Sequence, residues 1–358
     1  MMNRLGRYVL RSIIWHVLLT LLVLLGLFVF FDLIAELKDV GRDGYRLHHA
    51  FVYVLLESPS RIYDLLPVSL LIGSIFALSG LADSSQITVM RAAGVSILRF
   101  CGWLTVGGIF FGALTFAVGE YLAPQTNDAA TRYQVAAKQA VMFGRFRSGV
   151  WVKNGDQIIN VAAMQPDYSL QGLRVYVHDN GHQLLKIIDA ARARYQGNGN
   201  WQLEEVTQTR FFVDTVQVTQ QAKLPWAAQI EPKMLAVLMI KPRDMSVSAL
   251  IQYIGHLQEN KQSTIRYELA MWGKIFYPLA CLAMMLIALP FALGQRRSGN
   301  VGVKIFLGIL LGVSFNFINQ MMAYVGELYR LPPLLAAALP TMALSALAGY
   351  FLWRQEKS

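Results

Sequence analysis

Residues 149–164 read GVWVKNGDQIINVAAM, two short apolar-alternating runs around Asn154-Gly155. Alternation with a period of two marks a half-buried strand, and Asn-Gly between two such runs is the strongest short hairpin signal. The pattern returns at 173–188, LRVYVHDNGHQLLKII, around Asn180-Gly181, and at 191–206, ARARYQGNGNWQLEEV, around Asn198-Gly199. RFFVDTVQV, 210–218, reads as one further strand. Regular short strands with such turns predict an all-β sandwich, jelly roll or barrel-like domain.

Working outward, these hairpins lie in a polar island, 123–268, that opens with a predicted helix over 127–142. Pro225, Pro232 and Pro242 mark the exit from the strands, and a helical stretch from about Ser246, with SALIQYIGHLQENKQ at 248–262, leads out of the island. On either side the texture changes to long apolar runs: 12–31, 62–82 and 100–121 before it, 269–293, 303–325 and 332–353 after it. Each is near the roughly 20 apolar residues that cross a bilayer. The fold class expected is therefore an α-helical bundle of six spans, three plus three, with an inserted all-β, jelly-roll-like domain. The divisions are 1–122, with a loop at 84–98; 123–268, the β-domain and its flanking helices; and 269–358.

Composition agrees. Hydrophobic residues make up 55% of the chain and charged ones 15%, too few charges for an ordinary soluble protein. The net charge of +10 comes without a basic, aromatic-interleaved segment, so it points to cytoplasmic helix ends rather than to nucleic acid. Arg4, Arg7, Arg11, Arg91, Arg99, Arg296, Arg297, Lys304, Arg354 and Lys357 gather on one side of the spans, against Lys38, Arg42, Arg46, Arg61 and Arg330 on the other. That asymmetry places both termini in the cytoplasm and the island outside. The first apolar run is longer than a signal-peptide core and lacks a small-residue cleavage site, so it reads as a retained span. Cys101 and Cys281 both fall at or in spans and define no disulfide framework.

Catalytic patterns are missing. The chain has no G-x-x-x-x-G-K-[ST] loop and no H-E-x-x-H, and its six histidines are scattered. The expectation is a non-enzymatic chain without metal or cofactor. The segment 82–100, ADSSQITVMRAAGVSILRF, sets Ile87, Met90, Gly94 and Ile97 at helical spacing, with Ser84 or Ser85 as a cap. It reads either as a short helix by which a permease meets an ATPase or as a plain interfacial connector. On the first reading Gln86, Ile87, Met90, Arg91 and Gly94 carry the contact, with Met90 buried in the partner.

In the fifth span Asn316, Asn319 and Gln320 share one helical face, where amides meet protein or water rather than lipid. Interhelical hydrogen bonding and substrate contact both fit. Gly308 and Gly312, and Gly108 and Gly112, are small-xxx-small pairs that permit close helix packing. Asp32, Glu36, Lys38, Asp64, Glu120 and Lys274 cluster at the exported ends of the spans. Lys274, between Trp272 and Tyr277, is expected to snorkel or to pair with Glu120. Lys38, Arg132 and Lys138, just outside spans one and three, are candidates for an anionic headgroup path. Solvated surface charge is the plainer reading. Ile159 and Val177 are expected to line a channel in the β-domain, open at an edge to a partner's strand.

Several strings carry a family resemblance. GEYLAPQ at 119–125, MWGKIFYPLACLAMMLIALPFALG at 271–294 and LPPLLAAALP at 331–340 resemble the lipopolysaccharide-export permease family. So do QRRSGNVGVKIFLGILLG at 295–312 and VMRAAGVS at 89–96, and the W-G-K-I-F-Y-P-L form is more like the G-type than the F-type subunit. The resemblance implies an F–G heterodimer on two copies of a cytoplasmic ATPase in the Gram-negative inner membrane. It also implies a bitopic subunit with a periplasmic jelly roll and a periplasmic bridge protein, with lipopolysaccharide as substrate. The first and fifth spans would form lateral gates, and 84–98 the coupling helix. The chain departs from that pattern at Gln86, where the family carries Glu, and at Asp32, where some members carry Lys; Lys38 is then the better match to a basic residue. From the residues alone, a signalling or mechanical-coupling membrane protein and a secondary lipid transporter stay open.

Overall fold

The computed structural model describes residues 4–41, 44–138, 149–165, 167–179, 183–197, 199–212, 214–228, 242–293 and 301–356. Pro232, Arg296, Arg297, the Asn180-Gly181 turn and Asn198 lie outside them.

Among the described residues, six helices are long and apolar enough to span a membrane. α1 (Arg4–Leu37) and α2 (Leu47–Asp83) form a hairpin, and the short α3 (Gln86–Ala92) leads into α4 (Ile97–Ala117). A π-turn (Val118–Leu122) joins α4 to α5 (Ala123–Ala137), so the third span continues past its apolar part. The helix expected over 127–142 thus begins earlier and closes at Ala137, with Lys138 as its cap; residues 139–142 lie outside the described residues. After the strands come a 3-10 turn (Pro242–Asp244), α6 (Val247–Glu259), α7 (Ile265–Leu293), α8 (Val301–Leu328) and α9 (Pro333–Glu356).

α2 and α7 are the heart of the bundle. α2 packs on α1, α5, α7 and α8, while α7 packs on α2, α4, α8 and α9. Both small-residue pairs work as close-approach points. A Cβ on Gly112 would sit 2.9 Å from the Pro278 carbonyl oxygen, and one on Gly308 would sit 2.8 Å from Ile75 Cδ1. Those absences let α4 lie on α7 and α8 on α2. α1 is held differently. Its buried residues, Gly6, Val9, Leu10, Ile13 and Val17, all fall in its first half, and its second half turns apolar side chains outward.

The β-domain is one antiparallel sheet whose strands run in consecutive order. They are β1 (Val150–Asn154), β2 (Gln157–Met164), β3 (Leu170–His178), β4 (Leu184–Gly197), β5 (Asn200–Phe211) and β6 (Val216–Ala227). The first turn is centred on Gly155-Asp156, since Asn154 pairs with Gln157, with Gly155 at φ +56°. RFFVDTVQV is not one strand: Phe211 ends β5, Val216 begins β6, and the two pair. The intervening Asp214 explains the break, because a carboxylate favours a turn. Pro225 lies inside β6, not at an exit, which is tolerated because β6 is an edge strand among the described residues.

The sheet is creased. Buried positions run Ile159, Val161, then Met164 on β2; Leu170, then Leu173, Val175 on β3; Ile188, Ala190, then Ala193 on β4; Trp201, Leu203, then Val206 on β5. Each strand changes phase at one place, and Gly172 (φ +62°) and Glu205 (φ +54°) mark it. The fold brings the ends of the sheet together: Trp226 on β6 donates a hydrogen bond of 3.2 Å to Gln157 on β2. Flat strands four apart would be separated by about 19 Å at about 4.8 Å each. The sheet therefore rolls on itself, with its apolar face inside.

That closure corrects one expectation. Ile159 is 1% exposed and packed among Val161, Leu173 and Val175, so it does not line an open channel in this conformation. Val177 is half-buried at the edge of the same cluster. Alternation named the inward face correctly, but the roll closes it.

Candidate functional site

A cavity of about 550 Å³ opens among α2, α7, α8, α9 and the 3-10 turn, at the β-domain end of the bundle. One wall is α8, where Asn316, Asn319 and Gln320 fall on the lining as their spacing predicts. Among the described residues these three amides have no side-chain hydrogen-bond partner. Interhelical bonding, one of the two readings of their pattern, is thus not what they do here.

The facing wall is α7, which supplies Arg266, Lys274 and Tyr277, and α2 supplies Tyr63 and Asp64. Lys274 is 8% exposed, so it does not snorkel. Its Nζ donates to the Gly119 carbonyl at 3.2 Å and lies 5.5 Å from the Tyr63 ring. Gly119 is in the π-turn, where the helical register slips and carbonyls lose their ordinary partners. Glu120, in the same turn, does not pair with Lys274. It accepts from the backbone N–H groups of Val247 at 2.6 Å and Ser248 at 3.1 Å, and so caps α6. A carboxylate there also faces the positive end of the helix dipole.

The floor is stiffened by a chain of contacts. Tyr63 stacks on Tyr277 with centroids 4.6 Å apart, and Tyr277 donates through its hydroxyl to the Asp64 carbonyl at 3.1 Å. Arg243, in the turn leading to α6, donates to Asp64 Oδ1 at 2.6 Å. Burial opposes the charge of Arg243, but the Asp64 carboxylate outweighs it and holds the guanidinium pKa above its ordinary value. Arg243 and Arg266 were not singled out in the sequence. Their only signal was position, beside Pro242 and at the start of the fourth span.

The other expected residues lie elsewhere. Lys38 is exposed in the turn after α1. Arg132 bonds Asp128 at 2.5 and 3.2 Å and sits 4.7 Å over the Tyr168 ring. Lys138 donates to Glu36 at 2.9 Å and Asp39 at 2.6 Å, and lies 4.7 Å from the Tyr45 ring. The last pairing ties α1 to the end of α5, and its carboxylates offset the positive potential expected of Lys138. Asp32 likewise makes a bidentate pair with Arg61, at 2.8 and 2.9 Å, that ties α1 to α2.

At the opposite end of the bundle, α3 confirms the short helix but turns it over. Ile87 and Met90 are 3% and 7% exposed and belong to the core of the bundle itself. The outward face is Val89, 65% exposed, with Thr88 and Arg91. Gln86 accepts a hydrogen bond of 3.0 Å from the Tyr8 hydroxyl on α1. Ser84 bonds the Gly80 and Leu81 carbonyls and so serves α2, while Ser85 caps nothing through its side chain. Gly94 ends the segment at φ +86°, a left-handed conformation that glycine adopts without strain.

Comparison with known proteins bears on the whole arrangement. The permease protein LptG of the lipopolysaccharide export system of Haemophilus influenzae is 29% identical over 356 residues, covering 99% of each chain. Its counterpart LptG of Escherichia coli strain K12 is 29% identical over 354 residues, 98% of each. The family model described as lipopolysaccharide export system permease LptF/LptG matches residues 7–354. With its six spans, inserted sheet and full-length match, the chain belongs to the lipopolysaccharide export system permease LptF/LptG family.

Proposed function

We propose that this chain is the G-type permease subunit of an ATP-driven exporter that lifts lipopolysaccharide out of the inner membrane and passes it to a periplasmic bridge protein. Its partners are an F-type paralogue, forming a heterodimer, a cytoplasmic ATPase dimer, and a bitopic subunit with its own periplasmic jelly roll. Both termini are cytoplasmic and the rolled sheet is periplasmic, following the Lys and Arg asymmetry of the short segments. Hydrolysis of ATP belongs to the partner chain.

The observation that carries the reading is the cavity at the β-domain end, with three unpartnered amides on a membrane-spanning helix. Leaving amides without partners at membrane depth is costly unless a polar ligand or water serves them. In this family the polar ligand is the headgroup of the lipid being moved. Asn316, Asn319 and Gln320 then contact substrate, and Lys38, in the turn after α1, is a cation without a carboxylate on it among the described residues. Ile159 and Val177 become accessible to acyl chains only if the sheet unrolls at an edge.

The outward face of α3 docks on the ATPase through Val89 and Arg91, with Gln86 tied back to α1 by Tyr8. Co-expression with the F-type chain and the ATPase tests the assembly. All are expected to co-purify with the unaltered chain, and Val89→Asp is expected to release the ATPase while the F-type chain remains. Recovery of this chain alone, under conditions where the partners assemble with a known G-type relative, would overturn the reading.

A further inference from the structure

The polar lining of the cavity selects among headgroup chemistries. On one side, Asn316, Asn319 and Gln320 each offer both a donor and an acceptor, and none is partnered among the described residues. The rest of the lining includes Arg243, Arg266 and Lys274, which only donate, and Asp64, held by Arg243, and Glu327, which when ionised only accept. Donors and acceptors thus both line about 550 Å³ of space, inside the usual size of a small-ligand site.

A bare phosphate only accepts. It would suit Lys274 and Arg266 but meet Asp64 and Glu327 in the same lining. An alkylammonium only donates and would meet Arg243, Arg266 and Lys274. A ring of hydroxyls both donates and accepts, and it answers both sides without burying an unmatched charge. Tyr63, Tyr277 and Tyr324 add aromatic surface to the same lining, against which the C–H face of a sugar can rest.

We infer that the cavity is a carbohydrate subsite, which takes a pyranose ring of the lipid headgroup by its hydroxyls and leaves phosphate groups outside. The inference rests on the permease reading for the source of the sugar, but its test needs no transport. The full chain in phosphatidylcholine nanodiscs is labelled with an alkyl glucoside that carries a diazirine at the head of the alkyl chain. Competitors are the unlabelled glycoside, an alkyl phosphate of equal chain length, and inorganic phosphate.

Labelling is expected in α7 and α8 peptides around the cavity, suppressed by the glycoside and untouched by either phosphate. Asn319→Leu removes one amide, and Ala323→Trp fills the cavity without removing a hydrogen bond. With melting temperatures unchanged, Asn319→Leu is expected to cut labelling by about tenfold, the weight of one or two hydrogen bonds, and Ala323→Trp to bring it down to the level of α1 by filling the space. Suppression by alkyl phosphate as strong as by glycoside would overturn the inference in favour of an anion site. Labelling that ignores all competitors, or no labelling above a helix facing lipid such as α1, would overturn it in favour of a cavity that holds only water. The competition runs on the unaltered chain, so it decides even where a variant fails to fold. If partner-dependent export of lipopolysaccharide is intact and the glycoside result is negative, only the carbohydrate subsite falls. If export fails and glycoside binding stands, the permease reading falls instead.

Discussion

Glu120 and Lys274 show how single side chains hold the junction between bundle and β-domain. The π-turn frees the Gly119 carbonyl for Lys274 and aims Glu120 at the first N–H groups of α6. Removing a cap of this kind costs about 0.5–2 kcal/mol. Glu120→Ala is therefore expected to lower the melting temperature modestly and to speed amide exchange at Val247 and Ser248, with Glu120→Gln intermediate because it keeps an acceptor. Hydrogen exchange read at those two amides checks this, and unchanged protection in the alanine variant would contradict the capping role. Lys274→Met leaves the Gly119 carbonyl without its donor but also removes a buried charge. These effects oppose each other, so the expected stability change is small, within about 1–2 kcal/mol. Thermal melting in detergent measures it. At this scale the sequence was only partly legible. Residue type and spacing named Asn316, Asn319 and Gln320 as a face, because helical geometry alone decides that. They did not say that Lys274 points inward or that Asp32 and Lys138 are paired, because those contacts join residues 29 to 155 positions apart.

Among the elements, α3 is the most instructive. Its apolar spacing was visible, but a period cannot tell which neighbour receives the apolar side. The receiver is the bundle's own core, reached by Ile87 and Met90. Met90→Asp would bury an unpaired charge there and is expected to destabilise the chain by several kcal/mol, seen as loss of monodisperse protein. Val89→Asp, on the exposed face, is expected to leave the melt within about 0.5 kcal/mol of the parent and act only on ATPase binding. Equal thermal effects from the two variants would contradict the orientation of α3. The same logic covers the helix crossings. Gly112→Leu must push α4 away from the Pro278 backbone, with an expected cost of about 1–3 kcal/mol, while Gly102→Leu, with open space around it, costs little. Comparing the two melting temperatures checks this. For the sheet, alternation and Asn-Gly turns revealed strands and inward faces. The crease at Gly172 and Glu205 and the roll that seals Ile159 depend on positive φ values at scattered positions, which no periodicity announces.

For the molecule as a whole, three spans, a strand-rich insert and three spans were legible, the spans from the apolar runs because the bilayer imposes a length that local sequence must meet. What surrounds the bundle is less local. The second half of α1 and much of α8 present large apolar side chains outward, among them Leu22, Phe30, Phe306 and Phe317. Lipid covers such surface at no cost, and so does a second permease chain, which is where the F-type partner and the substrate's acyl chains belong in the proposed assembly. The central claim is that this chain moves lipopolysaccharide only as part of an ATP-fuelled complex. Proteoliposomes holding the chain with its F-type partner, ATPase and bitopic subunit, and loaded with lipopolysaccharide, put it to the most direct test. Transfer of lipopolysaccharide to an added bridge protein, read by photo-crosslinking, is predicted to require ATP and to drop sharply with Ala323→Trp. Transfer that proceeds without ATP, or none from a complex that assembles and hydrolyses ATP, would contradict the account.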